Sequence, residues 1–358
     1  MVGQRPHLVT GGCGFVGKHL VRHLLAESSS VWIIDDLSTG QRPDLWLEKP
    51  FDTTELAPNV TRYQLGAQEV IFIHAELTRY LQAHSSPDTT NDVYELPAFA
   101  DCFHLAAVVG GRSKIEGDLM GCAINTLIDT TFLLWCVQNS ERIGRVLYVS
   151  SSAAYPISFQ NDGLVIALEE RMLNFDEHLG MPDLTYGWSK LTGEYLCRLA
   201  ASNYGLHVAC VRPFSGYGVG QALSYPIPAL AGRIARGDDP VAVWGTGRQT
   251  RDFVYIDDFI SAMVLVLDQV SDGRAVNIGS GQPSTFIEVI ELLAEIAGYW
   301  PRIQPLLDKP VGVETRYADI TMLQQFGWRP CVPLRVGLAR VLEEQQAALA
   351  QVRLPHLP

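Results

Sequence analysis

Short, uninterrupted apolar stretches alternate along the first part of the chain with longer stretches in which apolar residues recur every three to four positions. The short stretches are typical of strands buried on both faces, and the longer ones of helices that cover them. Strands and helices that alternate in this way build a parallel sheet with helices on both sides. The pattern therefore predicts an α/β fold with a doubly wound parallel sheet. The predicted strands are 7–10, 31–35, 70–76, 102–107, 145–151 and 207–214.

The alternation loosens in the second part of the chain, where glycine and proline become frequent and the apolar stretches are shorter. We predict a first domain over 1–214, with its sheet partly completed by about 251–280. The segments 215–250 and 281–358 are predicted to form a smaller, C-terminal substrate-binding lid.

The most informative motif is TGGCGFVG, which joins the first predicted strand to the first predicted helix. Gly11 permits a sharp turn, Gly14 lets a pyrophosphate approach the backbone, and Gly17 lets helix and strand pack closely. The free N–H groups and the positive dipole end of the helix attract phosphate. The motif predicts a dinucleotide-binding domain of the Rossmann type.

An acid at the end of the second strand selects the dinucleotide. Asp35 lies at the distance from the glycines that suits an adenosine ribose, and a carboxylate there accepts from both ribose hydroxyls and repels a 2′-phosphate. The sequence therefore favours NAD over NADP. The segment 36–69 is rich in turn-forming residues, and we interpret it as an excursion over the adenine side of the cofactor.

Composition excludes several classes of function. The chain has 358 residues, a formal net charge of −12 and no basic run, so binding to a nucleic acid is disfavoured. We expect no membrane span, because we find no apolar run of the necessary length, and no signal peptide before the first strand. The seven cysteines form no CxxC pair, so neither a metal site nor a disulfide framework is expected. These features favour a cytoplasmic protein.

Candidate catalytic residues follow the fifth strand. This strand ends in Ser151, and ligands of open α/β sheets bind beyond the carboxyl ends of the strands. Tyr186 and Lys190 are four residues apart in a helical stretch and share one helix face. An ammonium and an oxidised nicotinamide both favour a phenolate, so we expect the pKa of Tyr186 to fall below its ordinary value of about 10. Such a tyrosine takes a proton from a sugar hydroxyl while hydride leaves the same carbon. By itself a Tyr–Lys pair is more often a surface contact, but together with the glycine turn and Asp35 it indicates a catalytic set.

With these motifs, the sequence resembles the extended short-chain dehydrogenase/reductase family, and within it the nucleotide-sugar epimerases and dehydratases. The resemblance covers nearly the whole chain and includes DDLSTG, HLAA, SSSAAYP, RPFSGYGVGQ, RQTRDFVYIDDF and NIGSGQPS. It implies tightly held NAD, a catalytic triad of Ser151, Tyr186 and Lys190, a nucleoside diphosphate sugar as substrate, and a homodimer.

The resemblance also assigns the binding residues. The cofactor contacts it implies are Gly11, Gly14, Phe15, Val16, Gly17, Asp35, Asp36, Ser38, Glu76, Leu77, Leu105, Ala106, Ala107, Asn125, Tyr186 and Lys190. The substrate contacts it implies are Ser152, Ser215, Tyr217 and Arg251. Arg251 is expected to hold the substrate diphosphate, and the alternative for it is an internal ion pair with Asp257 or Asp258.

Positions at which this sequence departs from the family patterns reduce the number of candidate reactions. The 4,6-dehydratases of the family carry an Asp-Glu pair directly after the catalytic Ser or Thr, where this chain has Ser152 and Ala153. The GDP-sugar 3,5-epimerases and epimerase-reductases use a cysteine where Ala153 stands, although the loop VVGGRSK resembles theirs. A 4-epimerase, similar to UDP-glucose 4-epimerase, needs only the triad and NAD and passes through a transient 4-keto sugar.

Three alternatives remain open at this point: a nucleotide-sugar dehydratase, a 3,5-epimerase or reductase, and an NAD-binding sensor without catalysis. The complete triad argues against the sensor. The residues do not specify the nucleotide or the sugar.

Overall fold

The computed structural model describes residues 5–27, 30–48, 50–85, 94–161, 163 and 165–353. Residues 1–4 and 354–358, at the ends of the predicted domain ranges, lie outside the described residues. The strands are β1 His7–Thr10, β2 Ser30–Asp35, β3 Asp52–Ala57, β4 Val60–Leu65, β5 Gln68–His74, β6 Phe99–His104, β7 Ile143–Val149, β8 His207–Pro213, β9 Ser215–Tyr217, β10 Val241–Trp244, β11 Thr250–Tyr255, β12 Asp272–Ile278, β13 Pro283–Thr285, β14 Ile303–Leu306 and β15 Thr315–Arg316. The helices are α1 Phe15–Glu27, α2 Leu77–Ser85, α3 Arg112–Gly117, α4 Leu119–Gln138, α5 Leu184–Tyr204, α6 Pro226–Arg236, α7 Ile256–Gln269, α8 Phe286–Ala297, α9 Thr321–Gln325 and α10 Leu334–Arg353.

The central sheet has nine strands in the order β12-β8-β7-β6-β1-β2-β5-β4-β3. The strands from β12 to β5 are parallel, and β1 pairs with β2 on one side and with β6 on the other. The chain therefore reverses its direction of travel across the sheet at β1. Such a reversal opens a crevice at the carboxyl ends of the strands, where open α/β sheets bind ligands. The predicted α/β, doubly wound architecture is confirmed.

Side chains of the central strands alternate between two apolar cores. On β8, Val208 and Cys210 face the core that contains α2, α4 and α5, whereas Ala209 and Val211 face the core that contains α1 and α7. Helices that cover both faces explain why these strands are nearly continuously apolar. They also place the first turns of α1 and α5 at the same edge of the sheet.

The predicted excursion over 36–69 contains two strands that the sequence analysis did not predict, β3 and β4, which follow a short 3₁₀ turn at Pro43–Leu45. Strands β3 and β4 form an antiparallel hairpin, and β4 adds to β5 at the sheet edge. Asn59 turns the hairpin with a φ of 64°, which asparagine tolerates better than most residues. Val60 and Tyr63 are the buried residues of β4. They are three positions apart and face opposite sides of the sheet, so the hairpin shows neither a continuous apolar run nor an apolar alternation.

The second part of the chain supplies two smaller sheets. Strand β11 pairs with β9, β13 and β15, and β10 pairs with β14. Helices α6, α8 and α10 pack against one another, and their apolar residues continue the core that lies under α1 and α7. Strand β12 returns to the central sheet as its outermost strand, whereas β11 stays in the smaller one.

Helix α4 corrects the expectation that no apolar stretch is long enough to span a membrane. It has 20 residues and a mean hydropathy of 1.4, which suffices by length and composition alone. The core helix of a globular protein meets the same criterion. Here α4 packs against α2 and α5 and buries two polar residues, Asn125 and Asp129.

Candidate functional site

The glycine-rich turn after β1 has the close packing that the sequence predicts. Gly11 adopts a φ of +70°, and a Cβ atom there would lie 2.7 Å from the backbone nitrogen of Ala106. A Cβ on Gly17 would lie 2.3 Å from the carbonyl oxygen of Gly11. Both glycines are therefore required for the turn to fit between β1, β6 and α1. Phe15 and Val16, partly buried, begin α1 beside it, so the N–H groups of the first helical turn face the crevice.

Asp35 ties the end of β2 to this turn. One of its carboxylate oxygens accepts from the backbone N–H of Cys13 at 2.9 Å and the other from that of Leu37 at 2.8 Å. Burial raises the pKa of Asp35, while these two hydrogen bonds oppose the rise. Each carboxylate oxygen can accept a second hydrogen bond, so the site keeps capacity for two ribose hydroxyls. Asp36 and Ser38 follow at the exposed rim.

The remaining predicted cofactor residues lie at the carboxyl ends of β5 and β6. Glu76 receives hydrogen bonds from Thr78 and Arg79, so its carboxylate caps α2. Asn125 clamps the loop after β6 through both the N–H (2.6 Å) and the C=O (3.0 Å) of Val108. That loop begins with the partly buried Leu105, Ala106 and Ala107. The side chain of Leu77 packs in the core at the start of α2, and the cofactor contact of this residue stays a prediction.

These features fit a dinucleotide. The two close-packed glycines leave room for a pyrophosphate at the start of α1, and the Asp35 carboxylate lies where an adenosine ribose would reach it. The residues that would hold NAD are those of the glycine turn, Asp35 and the ends of β5 and β6.

Ser151 and Tyr186 meet because α5 packs tightly on the segment after β7. A Cβ on Gly187 would lie 2.4 Å from the carbonyl oxygen of Ala153, so a larger residue there would push the helix away. The two catalytic candidates are hydrogen-bonded to each other, and Ser151 also accepts from the Ala153 N–H at 3.1 Å. Burial raises the pKa of Tyr186 to about 12, while the hydrogen bond to Ser151 and the charge of Arg316 lower it.

Lys190 lies one helical turn after Tyr186 and is 3% exposed. Its Nζ is 3.4 Å from a carboxylate oxygen of Asp129 and 5.0 Å from the ring centre of Tyr148. The expected lowering of the Tyr186 pKa is not seen in the chain's own residues, because burial raises that pKa and the charge of Asp129, which pairs with the ammonium, raises it further. From the sequence, the positive charge of an oxidised nicotinamide is expected to lower the same pKa as well.

Three arginines lie around one carboxylate at the side of the crevice that faces the smaller sheets, and two of them donate hydrogen bonds to it. Asp183, which precedes α5, accepts from Arg112 at 2.9 Å and from Arg316 at 2.8 Å. Although burial opposes it, these two guanidinium groups hold the pKa of Asp183 below its ordinary value. Arg112 also pairs with Glu116, so three cations face two carboxylates, and the remaining positive charge suits an anionic ligand.

Arg251 is the third arginine, and it has no carboxylate partner in the part of the chain that the structure describes. It donates to the carbonyl oxygens of Thr250, Val311 and Val313. Burial and the charges of Arg316 and Arg112 lower its pKa to about 9. The ion pairs that the sequence left as alternatives do not form, because Asp257 pairs with Arg340 and Asp258 accepts from backbone N–H groups.

A cleft of about 330 Å³ opens beside this cluster. Its lining residues include Arg112, Ile157, Met181, Asp183, Gly312 and Val313. The cleft borders the segment that leads into Tyr186 and the loop that Arg251 holds. Its walls therefore carry the charge and the space for a phosphate-bearing ligand.

The other three predicted substrate residues, Ser152, Ser215 and Tyr217, differ in how deeply they are buried. Ser152 is buried directly after Ser151, and Ser215 is partly buried at the start of β9. Tyr217 is a core residue, 1% exposed, whose hydroxyl donates to the Leu334 carbonyl at 3.2 Å. This burial leaves the Tyr217 side chain little surface for the predicted substrate contact.

The sequence reasoning missed Arg316, Asp183 and Asp129. Arg316 lies in the two-residue strand β15, which has no apolar pattern, and Asp183 has the position of an ordinary residue before a helix. Asp129 carried the clearest signal, since it is the one acid within the apolar stretch of α4.

The model of the NAD dependent epimerase/dehydratase family matches residues 7–279. A candidate UDP-glucose 4-epimerase of Methanocaldococcus jannaschii is 26% identical over 341 residues, which is 94% of this chain and 96% of that protein. A GDP-L-fucose synthase of Arabidopsis thaliana is 30% identical over 287 residues, 76% of this chain and 84% of that protein. The crystal structure of a Thermus thermophilus UDP-glucose 4-epimerase in complex with NAD has the same fold, with a TM-score of 0.75, 23% identity and coverage of 96% and 99% of the two chains.

Proposed function

The chain belongs to the NAD dependent epimerase/dehydratase family, and on that premise we propose that it is an NAD-dependent nucleotide-sugar epimerase. The reaction we propose is inversion at C4 through a transient 4-keto sugar, with a UDP sugar as the substrate class. The names of the Methanocaldococcus and Thermus relatives favour that class.

One observation carries the proposal: the Tyr186 phenol is hydrogen-bonded to Ser151 and also faces Arg316 of the arginine cluster. A proton acceptor and an anion-binding cluster thus lie within the reach of one nucleotide sugar. A sugar attached to a diphosphate held by the arginines would extend toward the tyrosine.

The chain's own residues perform the acid–base work. Bound NAD would supply reversible hydride transfer at the sugar carbon. Tyr186 takes the proton from the sugar hydroxyl and later gives it back, and Ser151 hydrogen-bonds to the same oxygen. The ketone rotates between the two half-reactions. Since no carbon–hydrogen bond is broken by a base, no additional carboxylate or thiol is required, consistent with Ser152 and Ala153 after the catalytic serine.

The arginine cluster supplies binding and orientation. A guanidinium presents donors in a planar fork that matches two phosphate oxygens, which a single ammonium does not. Arg251 and Arg316 are the residues we assign to the diphosphate. Desolvation of these cations is costly, and a bound dianion would offset that cost.

We also propose that the enzyme is a homodimer. Apolar side chains are exposed on neighbouring faces of α4 and α5, which pack against each other. They are Ile124, Leu127 and Leu134 on α4 and Trp188 and Tyr195 on α5. A contiguous apolar surface of this kind is typical of an interface, and two such helices from each subunit would form a four-helix contact.

The direct test is incubation of the purified protein with a panel of UDP-, GDP-, CDP- and dTDP-sugars, followed by chromatography and mass spectrometry. The proposal expects a product of unchanged mass whose sugar is the C4 epimer of the substrate. A product lighter by one water would identify a dehydratase, and net production of NADH would identify a dehydrogenase.

A further inference from the structure

A chain of buried polar side chains runs behind Lys190, from β1 through β6 to α4. The Thr10 hydroxyl lies 2.8 Å from Nδ1 of His104, and Nε2 of His104 lies 3.1 Å from Oδ1 of Asp129. The Tyr148 hydroxyl donates to Oδ2 of Asp129 at 2.6 Å. The same carboxylate oxygen lies 3.4 Å from Nζ of Lys190. Asp129 therefore sits at the junction of three hydrogen bonds.

The partners assign the hydrogen atoms of this chain. The Asp129 carboxylate can only accept, so Nε2 of His104 carries the proton and donates to it. Nδ1 of His104 then accepts a hydrogen bond from the Thr10 hydroxyl. Burial lowers the pKa of His104, although Asp129 opposes that shift, so the imidazole stays neutral near pH 7. The charges inside the network are then one carboxylate and one ammonium.

The ion pair between Asp129 and Lys190 is buried, so the loss of either partner has a large effect on the other. The side chains of Asp129 and Lys190 are 1% and 3% exposed. A carboxylate removed from water in this way is costly unless it is paired and hydrogen-bonded, and the loss of one partner leaves the other charge stranded. Thr10 directly precedes the glycine turn, so the network joins the cofactor side of the crevice to the helix that carries Tyr186.

We propose that Asp129 is a positioning residue of the reaction: it holds the Lys190 ammonium in place through the buried ion pair and thereby controls how strongly that cation acts on Tyr186. The inference deepens the proposed function and rests on it for the role of Tyr186.

The effect on Tyr186 has a defined sign. The polar and charged groups that interact electrostatically with its phenol are Ser151 after β7, Asp129 and Cys122 on α4, Arg316 on β15, and Tyr225 before α6. Lys190 lies one helical turn after Tyr186 on α5. Asp129 is the anion among them and opposes a phenolate. Its replacement by a neutral residue removes that opposition and also releases the ammonium, so both consequences lower the pKa of Tyr186.

The experiment titrates Tyr186 in the NAD-loaded protein by NMR, with tyrosine enriched in ¹³C at the phenol carbon. Comparison with Tyr186→Phe identifies the signal. In Asp129→Asn and in Asp129→Thr the midpoint is expected about one pH unit lower than in the parent. No sugar nucleotide is added, so a failure of the proposed epimerase activity does not affect this readout.

Tyr148→Phe is the matched control, because it removes one hydrogen bond from the same carboxylate and keeps the ion pair. Its midpoint is expected to equal that of the parent. A midpoint that is unchanged or higher in both Asp129 variants, or an equal shift in the control, would overturn the proposal. Failure of both Asp129 variants to give folded, NAD-binding protein would assign Asp129 a structural role and overturn it as well.

Discussion

The guanidinium of Arg316 donates to the Asp183 carboxylate over 2.8 Å, directly before the helix that carries Tyr186. Asp183 is also the partner of Arg112, so one carboxylate serves two arginines. Arg251, the third arginine beside them, holds only backbone carbonyl oxygens in the described part of the chain. This unequal pairing leaves a local positive charge in a protein whose formal net charge is −12.

Replacement of Arg251 by alanine is expected to raise the KM for the nucleotide sugar strongly and to leave the bound NAD unchanged. The loss of a charge-assisted hydrogen bond to phosphate costs about 1.5–3 kcal/mol, which corresponds to a rise of roughly 10- to 100-fold. Steady-state kinetics and the cofactor content after heat denaturation measure the two quantities. Arg340→Ala is the control, because this exposed arginine pairs with Asp257 away from the cleft. Equal KM values in Arg251→Ala and the parent would leave Arg251 with a structural role in holding the loop.

Replacement of Asp35 by alanine is expected to weaken NAD binding by about 1–3 kcal/mol, because a carboxylate that accepts from ribose hydroxyls is lost. Calorimetric titration of the cofactor-depleted protein with NAD measures the difference. Asp272→Ala, an exposed acid at the start of β12, serves as the control. Release of mainly NADP from the denatured parent protein would contradict the role assigned to Asp35.

Replacement of Tyr186 by phenylalanine is expected to preserve the fold and the bound NAD and to reduce kcat by about 10²–10⁴, the usual contribution of acid–base catalysis. Tyr195→Phe, an exposed tyrosine on the same helix, is expected to retain full activity. A Tyr186→Phe enzyme with more than a tenth of the parent's kcat would exclude this phenol as the base.

Burial of Tyr186 also predicts how stability depends on pH. Its pKa is raised from about 10 to about 12 in the folded, cofactor-free protein, so the folded state retains a proton that the unfolded state loses. The resulting stabilisation is complete below pH 10 and is lost as the pH rises through 12. Between these values the free energy of unfolding of the parent should fall more steeply than that of Tyr186→Phe, by about 1.4 kcal/mol per pH unit. Denaturant titrations at several pH values measure both slopes, and equal slopes would contradict the burial of this hydroxyl.

The proposed dimer predicts that a charge on the exposed face of α4 separates the subunits. Leu127→Arg would bury an unpaired charge in the interface, so the protein should sediment as a monomer at micromolar concentration. Leu223→Arg, an exposed apolar residue elsewhere, should leave the parent's sedimentation coefficient unchanged. A parent protein that sediments as a monomer would contradict the proposal.

Strong local patterns made much of the fold predictable. The apolar runs of the central strands and the TGGCGFVG turn are local signals, and the architecture predicted from them is confirmed. The hairpin β3–β4 escaped prediction because β3 buries no residue and the two buried residues of β4 are three positions apart, so neither strand shows an apolar run or an apolar alternation. Tyr217 was assigned from its place in the segment RPFSGYGVGQ, and the sequence did not show that tertiary packing buries this side chain against the start of α10.

The candidate site was predictable only where its residues share a motif. Ser151, Tyr186 and Lys190 follow recognisable segments, and their meeting depends on one close helix contact at Gly187. The arginine cluster joins residues 112, 183, 251 and 316, which lie far apart in the chain and in segments with no common pattern. The pairing of Lys190 with Asp129 likewise depends on the packing of α4 against α5, which sequence spacing does not show.

The measurement that tests the central claim most directly is the reaction in heavy water, with mass spectrometry and NMR of the product sugar. A 4-epimerase returns to C4 the same hydride that it removed, so the account predicts an epimerised product that contains no carbon-bound deuterium. Deuterium at C3 or C5 would show that a base removes a carbon-bound proton, as in a 3,5-epimerase, and would contradict the assignment of C4 inversion to Ser151, Tyr186 and Lys190.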